Sequence, residues 1–330
     1  MSRDDVILLD GSMGHELKAR GLTESFSTAM LANITHADLV TSIHAEYCAA
    51  GCTVLTTNTF TLTPHEMEKA GRLAEMPSLL HAACDCARRA ASTSGPGSQP
   101  VLVAGSLPPL RHCYLPELVG NEAEMRTLYD SLVRELAPRV DMFLAETLCS
   151  SVEARAALQA AAPTGKPCWL SFTLHDDAAG APTLRGGEAV PAALAALEGV
   201  PPPAALLYNC CAPSIVTTAL AASSTLPAGV ARLGGYANGF RSTTSQWLCE
   251  RGAANLGCAP ERHRFAACPT CAGEYDASDS ITPVAYAAHA ERWVERGASI
   301  VGGCCGIGPT HLKAVSERLR TLQLDLRDSR

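Results

Sequence analysis

The sequence predicts an α/β protein of the (β/α)8 TIM-type barrel class. It is read as a single domain over residues 1–330, with an insertion at 240–281 between the seventh and eighth strands. Three observations lead there. Eight short apolar runs recur along the chain, interleaved with stretches whose apolar residues have helical spacing. The runs are apolar throughout rather than alternating, as parallel strands buried on both faces require. A length of 330 residues also suits one barrel, which often reaches ~250 residues or more as a single domain. An open doubly wound sheet is the competing architecture.

The elements follow in order. The first strand is Val6–Asp10, and a helix is read at Ala37–Ala50 from its apolar spacing. The second strand, Thr53–Thr57, leads into a long helical stretch, Glu66–Ala91, in which Pro77 is expected to break the helix. Ser92–Pro100 is rich in Gly, Ser and Pro and reads as a surface loop before the third strand, Val101–Gly105. Helix Glu122–Ala137 precedes the fourth strand, Met142–Glu146, and helix Ser151–Ala161 precedes the fifth, Trp169–Thr173. Helix Pro191–Leu197, strand Ala205–Asn209, helix Ser214–Ser223 and strand Val230–Gly234 come next. The insertion Phe240–Ile281 interrupts the pattern, and insertions after barrel strands usually cover the active-site face. Helix Val284–Arg296, strand Ser299–Gly303 and helix Pro309–Leu322 close the chain, the last with proline in its first turn, where helices tolerate it.

Composition narrows the function. A hydrophobic content of 47% with 18% charged residues describes an ordinary globular protein. The net charge of -7 offers no basic patch for nucleic acid. No uninterrupted apolar stretch reaches the ~18 residues of a membrane span, and the first residues show no apolar leader segment. The 15 cysteines are odd in number and form no disulfide framework, so the expected setting is the cytoplasm, with thiols kept reduced. Most of them, Cys48, Cys52, Cys84, Cys86, Cys113, Cys149, Cys168, Cys249 and Cys258, read as small buried hydrophobes. The expected state is a monomer.

Two cysteines stand apart. Cys304 and Cys305 are adjacent, flanked by Gly302, Gly303 and Gly306, and follow the last apolar run. Cys210 likewise ends the sixth. In a barrel the carboxyl ends of the strands converge on one face, which would bring Cys210 to the later pair across ~95 residues. Three thiolates from two strand ends would make an open metal site, and thiolate donors suit zinc. Asp10, Thr57 and Glu146 end the first, second and fourth strands and point to the same face. The plainer readings are two core cysteines, a phosphate cradle in the glycine-rich turn, and structural roles for the carboxylates and the threonine. Cys268 and Cys271 have zinc-ligand spacing but no second pair, so free thiols are expected there, with a second metal or a redox pair as the alternative. His15, in the loop after Asp10, reads as a solvated loop histidine, with a place lining the pocket as the alternative.

The chain resembles the homocysteine S-methyltransferases, whose domain is shared with betaine-dependent and cobalamin-dependent methionine-forming enzymes. The resemblance rests on Leu9-Asp10-Gly11-Ser12-Met13-Gly14-His15-Glu16-Leu17, Thr57-Asn58-Thr59-Phe60, Ala145-Glu146-Thr147, Asn209-Cys210-Cys211-Ala212-Pro213 and Gly302-Gly303-Cys304-Cys305-Gly306. It implies a Zn²⁺ ion held by Cys210, Cys304 and Cys305, with Asp10 and Glu146 on the substrate ammonium and Thr57 near its carboxylate. It implies methyl transfer to homocysteine, giving methionine; the methyl donor is open within the family, and a sulfonium, S-methylmethionine or S-adenosylmethionine, is expected by elimination. Selenohomocysteine is an alternative acceptor. The betaine branch carries tyrosines where this chain has Thr61 and Thr147, which argues against betaine, and a cobalamin route needs further domains. A zinc hydrolase on the same scaffold and a non-enzymatic zinc or redox-responsive thiol protein are the competing readings.

Overall fold

The computed structural model describes residues 6–22, 26–93, 99–111, 114, 116–176, 181–223, 226–241 and 273–328. Eight parallel strands form one sheet: β1 (Ile7–Leu8), β2 (Val54–Thr56), β3 (Leu102–Leu107), β4 (Met142–Leu148), β5 (Cys168–Thr173), β6 (Ala205–Asn209), β7 (Arg232–Tyr236) and β8 (Ile300–Val301). Each pairs with its sequence neighbour, and β8 returns to β1 through Ile7 opposite Ile300. A bridge between Leu9 and Val54, with Thr53 N–H on Leu8 O and Asp10 N–H on Val54 O, closes the ring between β1 and β2. The result is the expected (β/α)8 barrel, and the open sheet is excluded.

Helices α1 (Met13–Ala19), α2 (Phe26–Thr35), α3 (Ala37–Ala50), α4 (Pro64–Lys69), α5 (Met76–Ala91), α6 (Glu122–Leu136), α7 (Ser151–Ala161), α8 (Val190–Ala195), α9 (Pro213–Ala222), α10 (Pro283–Glu295) and α11 (Pro309–Asp328) surround it. Two separate apolar clusters result from the period of two along each strand. Leu9, Val54, Ala104, Met142, Leu144, Trp169, Ala205, Leu207, Tyr236 and Ile300 fill the barrel interior. The alternate residues, such as Phe143, Ala145, Leu170, Leu206 and Val301, pack outward against the helices in a larger cluster.

Three readings are corrected. The stretch from Glu66 to Ala91 is not one helix broken at Pro77. The sequence places Thr63 as an N-cap before Pro64, so α4 begins earlier, and Gly71 in a left-handed conformation (φ 67°) ends it. Pro77 then stands in the first turn of α5, where its missing N–H is not needed. Two helices, α1 and α2, were not expected; α1 is capped by the Ser12 side chain accepting from His15 N–H. His15 is therefore helical and half-buried rather than a solvated loop residue, with its ring 5.1 Å from that of Phe240.

The ends of the insertion meet. Phe240 bridges Ser280, and Ile281 N–H bonds Gly239 O at 2.7 Å. Its interior, with Cys249, Cys258, Cys268 and Cys271, lies outside the described residues, as do Cys113 and positions 94–98 of the Ser92–Pro100 loop.

Candidate active site

The carboxyl ends of β6 and β8 bring three sulfurs together. Cys210 Sγ lies 2.8 Å from Cys304 Sγ and 4.0 Å from Cys305 Sγ, and all three sit within 4.8 Å of one another. Among the described residues this is the one group of cysteine, histidine or carboxylate side chains so clustered that it could hold a metal ion.

Local sequence explains how the cysteines get there. The segment after β8 is tied down on both sides: Gly303 N–H bonds Asp10 O, Cys304 N–H bonds Ala237 O, and Gly239 N–H bonds Cys305 O, at 2.8–3.0 Å. A Cβ at Gly303 would stand 2.2 Å from Ile307 Cγ2, so no other residue fits there without moving the turn that carries the pair. Gly306 has φ 80°, the left-handed conformation that glycine adopts without cost. Cys210 itself has φ 53°, rare for a side chain with a Cβ. It is held there from both sides: Thr173 Oγ1 donates to Cys210 O, and Ala212 N–H donates to Asp176 Oδ1 at 2.7 Å. Asp176 is paired in turn with buried Arg185 at 2.8 Å.

The two carboxylates flank this cluster. Asp10 is buried and accepts from Thr56 N–H at 2.8 Å. Glu146 is buried and accepts from Ser106 Oγ at 2.5 Å and Tyr236 OH at 3.3 Å. Burial pushes the Asp10 carboxyl up to about 8 and the Glu146 carboxyl up to about 7. Each is raised further by a nearby negative charge, Asp10 by Glu146 and Glu146 by Cys210, which ties both to the sulfur cluster. Thr57 joins through Ser106, whose N–H donates to Thr57 Oγ1 at 3.2 Å. His44 packs 3.9 Å from Asp10 but does not neutralise it, because complete burial lowers its imidazole to about 4 and keeps the ring uncharged. The hydrogen bonds from Cys304 and Cys305 lower Cys210 well below an ordinary thiol, while the same contacts push Cys304 the other way. Cys210 is therefore the sulfur most readily ionised, and a bound cation would remove further protons.

The structure thus gathers every residue singled out from the sequence: Asp10, Thr57, Glu146, Cys210, Cys304 and Cys305. It adds residues that the sequence reading did not single out for the site. Asn209 spans β4 and β6, accepting from Thr147 N–H at 3.1 Å and Ser171 Oγ at 2.7 Å and donating to Thr147 Oγ1 at 2.8 Å. Its place as the last polar residue of an apolar run was a usable signal. Tyr114 OH donates to Cys210 Sγ at 3.1 Å. No periodic pattern surrounds Tyr114, so nothing in the sequence marked it. Ser106 and Tyr236 lie just past the ends read for the third and seventh strands, which run on to Leu107 and Tyr236.

Comparisons with known proteins agree with this geometry. The chain is 27% identical to the homocysteine S-methyltransferase of Escherichia coli strain K12, over 96% of each chain. It is 25% identical to betaine–homocysteine S-methyltransferase 1 of Danio rerio, over 97% of this chain and 74% of that one. Its fold matches the crystal structure of the homocysteine methyltransferase MmuM from E. coli in the metallated form, with TM-score 0.73 and 23% identity over 95% of this chain and 96% of that one. The family model described as homocysteine S-methyltransferase matches residues 7–319, and the chain belongs to that family.

Proposed function

We propose that this enzyme transfers a methyl group from a sulfonium donor, S-methylmethionine or S-adenosylmethionine, to the thiolate of L-homocysteine with the help of zinc, forming methionine. The observation that carries the reading is the convergence of three cysteine sulfurs beside two buried carboxylates. Family membership supports methylation of homocysteine; the donor set and the site charges support the rest.

The three sulfurs fit zinc. Tetrahedral zinc accepts cysteine thiolates, and three protein ligands leave one position open. Bound there, zinc would lower the pKa of an incoming thiol and present it as a thiolate. A site this rich in negative sulfur is a poor activator of water, which disfavours hydrolysis.

The chain's own residues do the positioning. Asp10 and Glu146 are held at the barrel mouth by Thr56, Ser106 and Tyr236. Burial makes their carboxyls resist ionisation; a substrate ammonium would restore the charge on both and be gripped by them. Thr57 would lie toward the substrate carboxylate. With the amino-acid end fixed, the substrate sulfur is aimed at the cysteine cluster, and displacement at the methyl carbon needs in-line placement of the donor. The sulfonium leaves as a neutral thioether, so no general acid is required. Thr147 stands where the betaine branch carries tyrosine, which supports a sulfonium over betaine.

The test is direct. Zinc-loaded protein given homocysteine and S-methylmethionine is expected to release methionine. Absence of methionine with every sulfonium donor would reject the reading.

A further inference from the structure

Once homocysteine is bound, the site proposed above holds four sulfurs, and only one of them should take the methyl group. The protein's own thiolates are the same kind of nucleophile, and methylating one would destroy the site. A hydrogen bond donated to a thiolate withdraws density from the lone pair that would attack.

Hydrogen bonding in the cluster is uneven. Cys210 Sγ receives Tyr114 OH at 3.1 Å and is also hydrogen-bonded by the Thr147 hydroxyl. Apart from the sulfur–sulfur contacts, Cys304 Sγ has, among the described residues, the longer contact from Asn209 Nδ2, at 3.8 Å. Tyr114 is placed deliberately. Its backbone has φ 69°, a conformation that a tyrosine rarely adopts. The Arg185 guanidinium lies 5.1 Å from its ring centroid and is locked by Asp176 and Thr173. A cation stacked on the ring draws density from the phenol and makes its O–H a stronger donor.

We propose that Tyr114 shields the Cys210 sulfur from methylation, so that the methyl group goes to the substrate sulfur. This rests on the function proposed above. The reaction it suppresses is balanced without a further reagent: Cys210 Sγ bonds the methyl carbon, the carbon–sulfonium bond breaks, and a neutral thioether leaves. Tyr114 is a positioning residue, acting through Cys210.

The test uses zinc-loaded full-length protein without homocysteine, with iodomethane as one probe and S-methylmethionine as the other. S-methylcysteine at positions 210, 304 and 305 is quantified by peptide mass. Tyr114→Phe, which keeps the ring on Arg185 and removes the hydroxyl, is expected to methylate Cys210 about tenfold faster than wild type, the scale of one hydrogen bond to a charged acceptor. An unchanged rate at Cys210, or a rise confined to Cys304 and Cys305, overturns the proposal. Should the variant fail to hold metal, the wild-type protein decides: Cys210 must be the slowest of the three toward iodomethane. Iodomethane reads sulfur reactivity whatever the natural donor, so a failure of methionine formation counts against the proposed function and is distinguishable from a failure here.

Discussion

The Asn209 side chain clasps Thr147 twice, accepting from its N–H at 3.1 Å and donating to its hydroxyl at 2.8 Å. Thr147 has φ 62° and lies where the pairing of β4 with β5 shifts register, between Ala145 and Leu148. The clasp therefore joins the residue after Glu146 to the residue before Cys210. Asn209→Ala is expected to leave buried partners unmet, Ser171 among them, and to destabilise the fold by about 3 kcal/mol. Denaturant midpoints measure this, and a cost within the noise of surface substitutions would mean that the clasp is incidental.

The carboxylates set a pH dependence. Asp10 and Glu146 have folded-state values raised above their ordinary ones, to about 8 and about 7. The folded protein then binds more protons than the unfolded chain, so their contribution to stability falls as pH rises from about 4 to about 8. Asp10→Asn is expected to flatten this slope in pH-dependent melting of the metal-free protein. A variant with the same slope as wild type removes Asp10 as its source.

Ligand affinity should run the other way, since an ammonium favours the ionised carboxylates. Methionine carries the ammonium without a thiol, which makes it the suitable probe. Its binding, followed by calorimetry, is expected to strengthen as pH rises through about 7 and to level off above about 8. Affinity independent of pH over that range would place the ammonium elsewhere.

Cys304→Ser is expected to reduce bound zinc below one equivalent, measured by metal analysis after dialysis, because a hydroxyl is a much poorer zinc donor than a thiolate. Undiminished zinc would take Cys304 out of the ligand set.

Arg185 and Asp176 form a pair whose side chains are only 3% and 2% exposed. Arg185→Ala would leave the Asp176 charge buried and unmatched, at a cost of about 3–5 kcal/mol. Asp176 also anchors Ala212 N–H beside Cys210, so the variant should lose zinc affinity as well as stability, seen in chelator competition.

The barrel was legible because each strand is buried on both faces and so carries an unbroken apolar run, as in Ala205–Asn209, read with the bounds observed. The cysteine cluster was legible because glycines beside Cys304 and Cys305 mark a turn too tight for other residues. What stayed hidden depends on contacts without periodicity. Ser106 looks like any strand serine until its hydroxyl meets Glu146, 40 positions later. Helix α2 has apolar residues on most sides, so no stripe announced it. The break before α5 was misplaced because proline was read as an interruption when it stands at a helix start.

Four non-glycine residues among those described have positive φ, and three of them, Tyr114, Thr147 and Cys210, meet at the sulfur cluster. Such conformations cost about 1–3 kcal/mol each and persist only where the surroundings enforce them. Warming should therefore blunt turnover before the scaffold melts: the pocket is a sprung latch mounted on a stiff drum, and the latch loosens first.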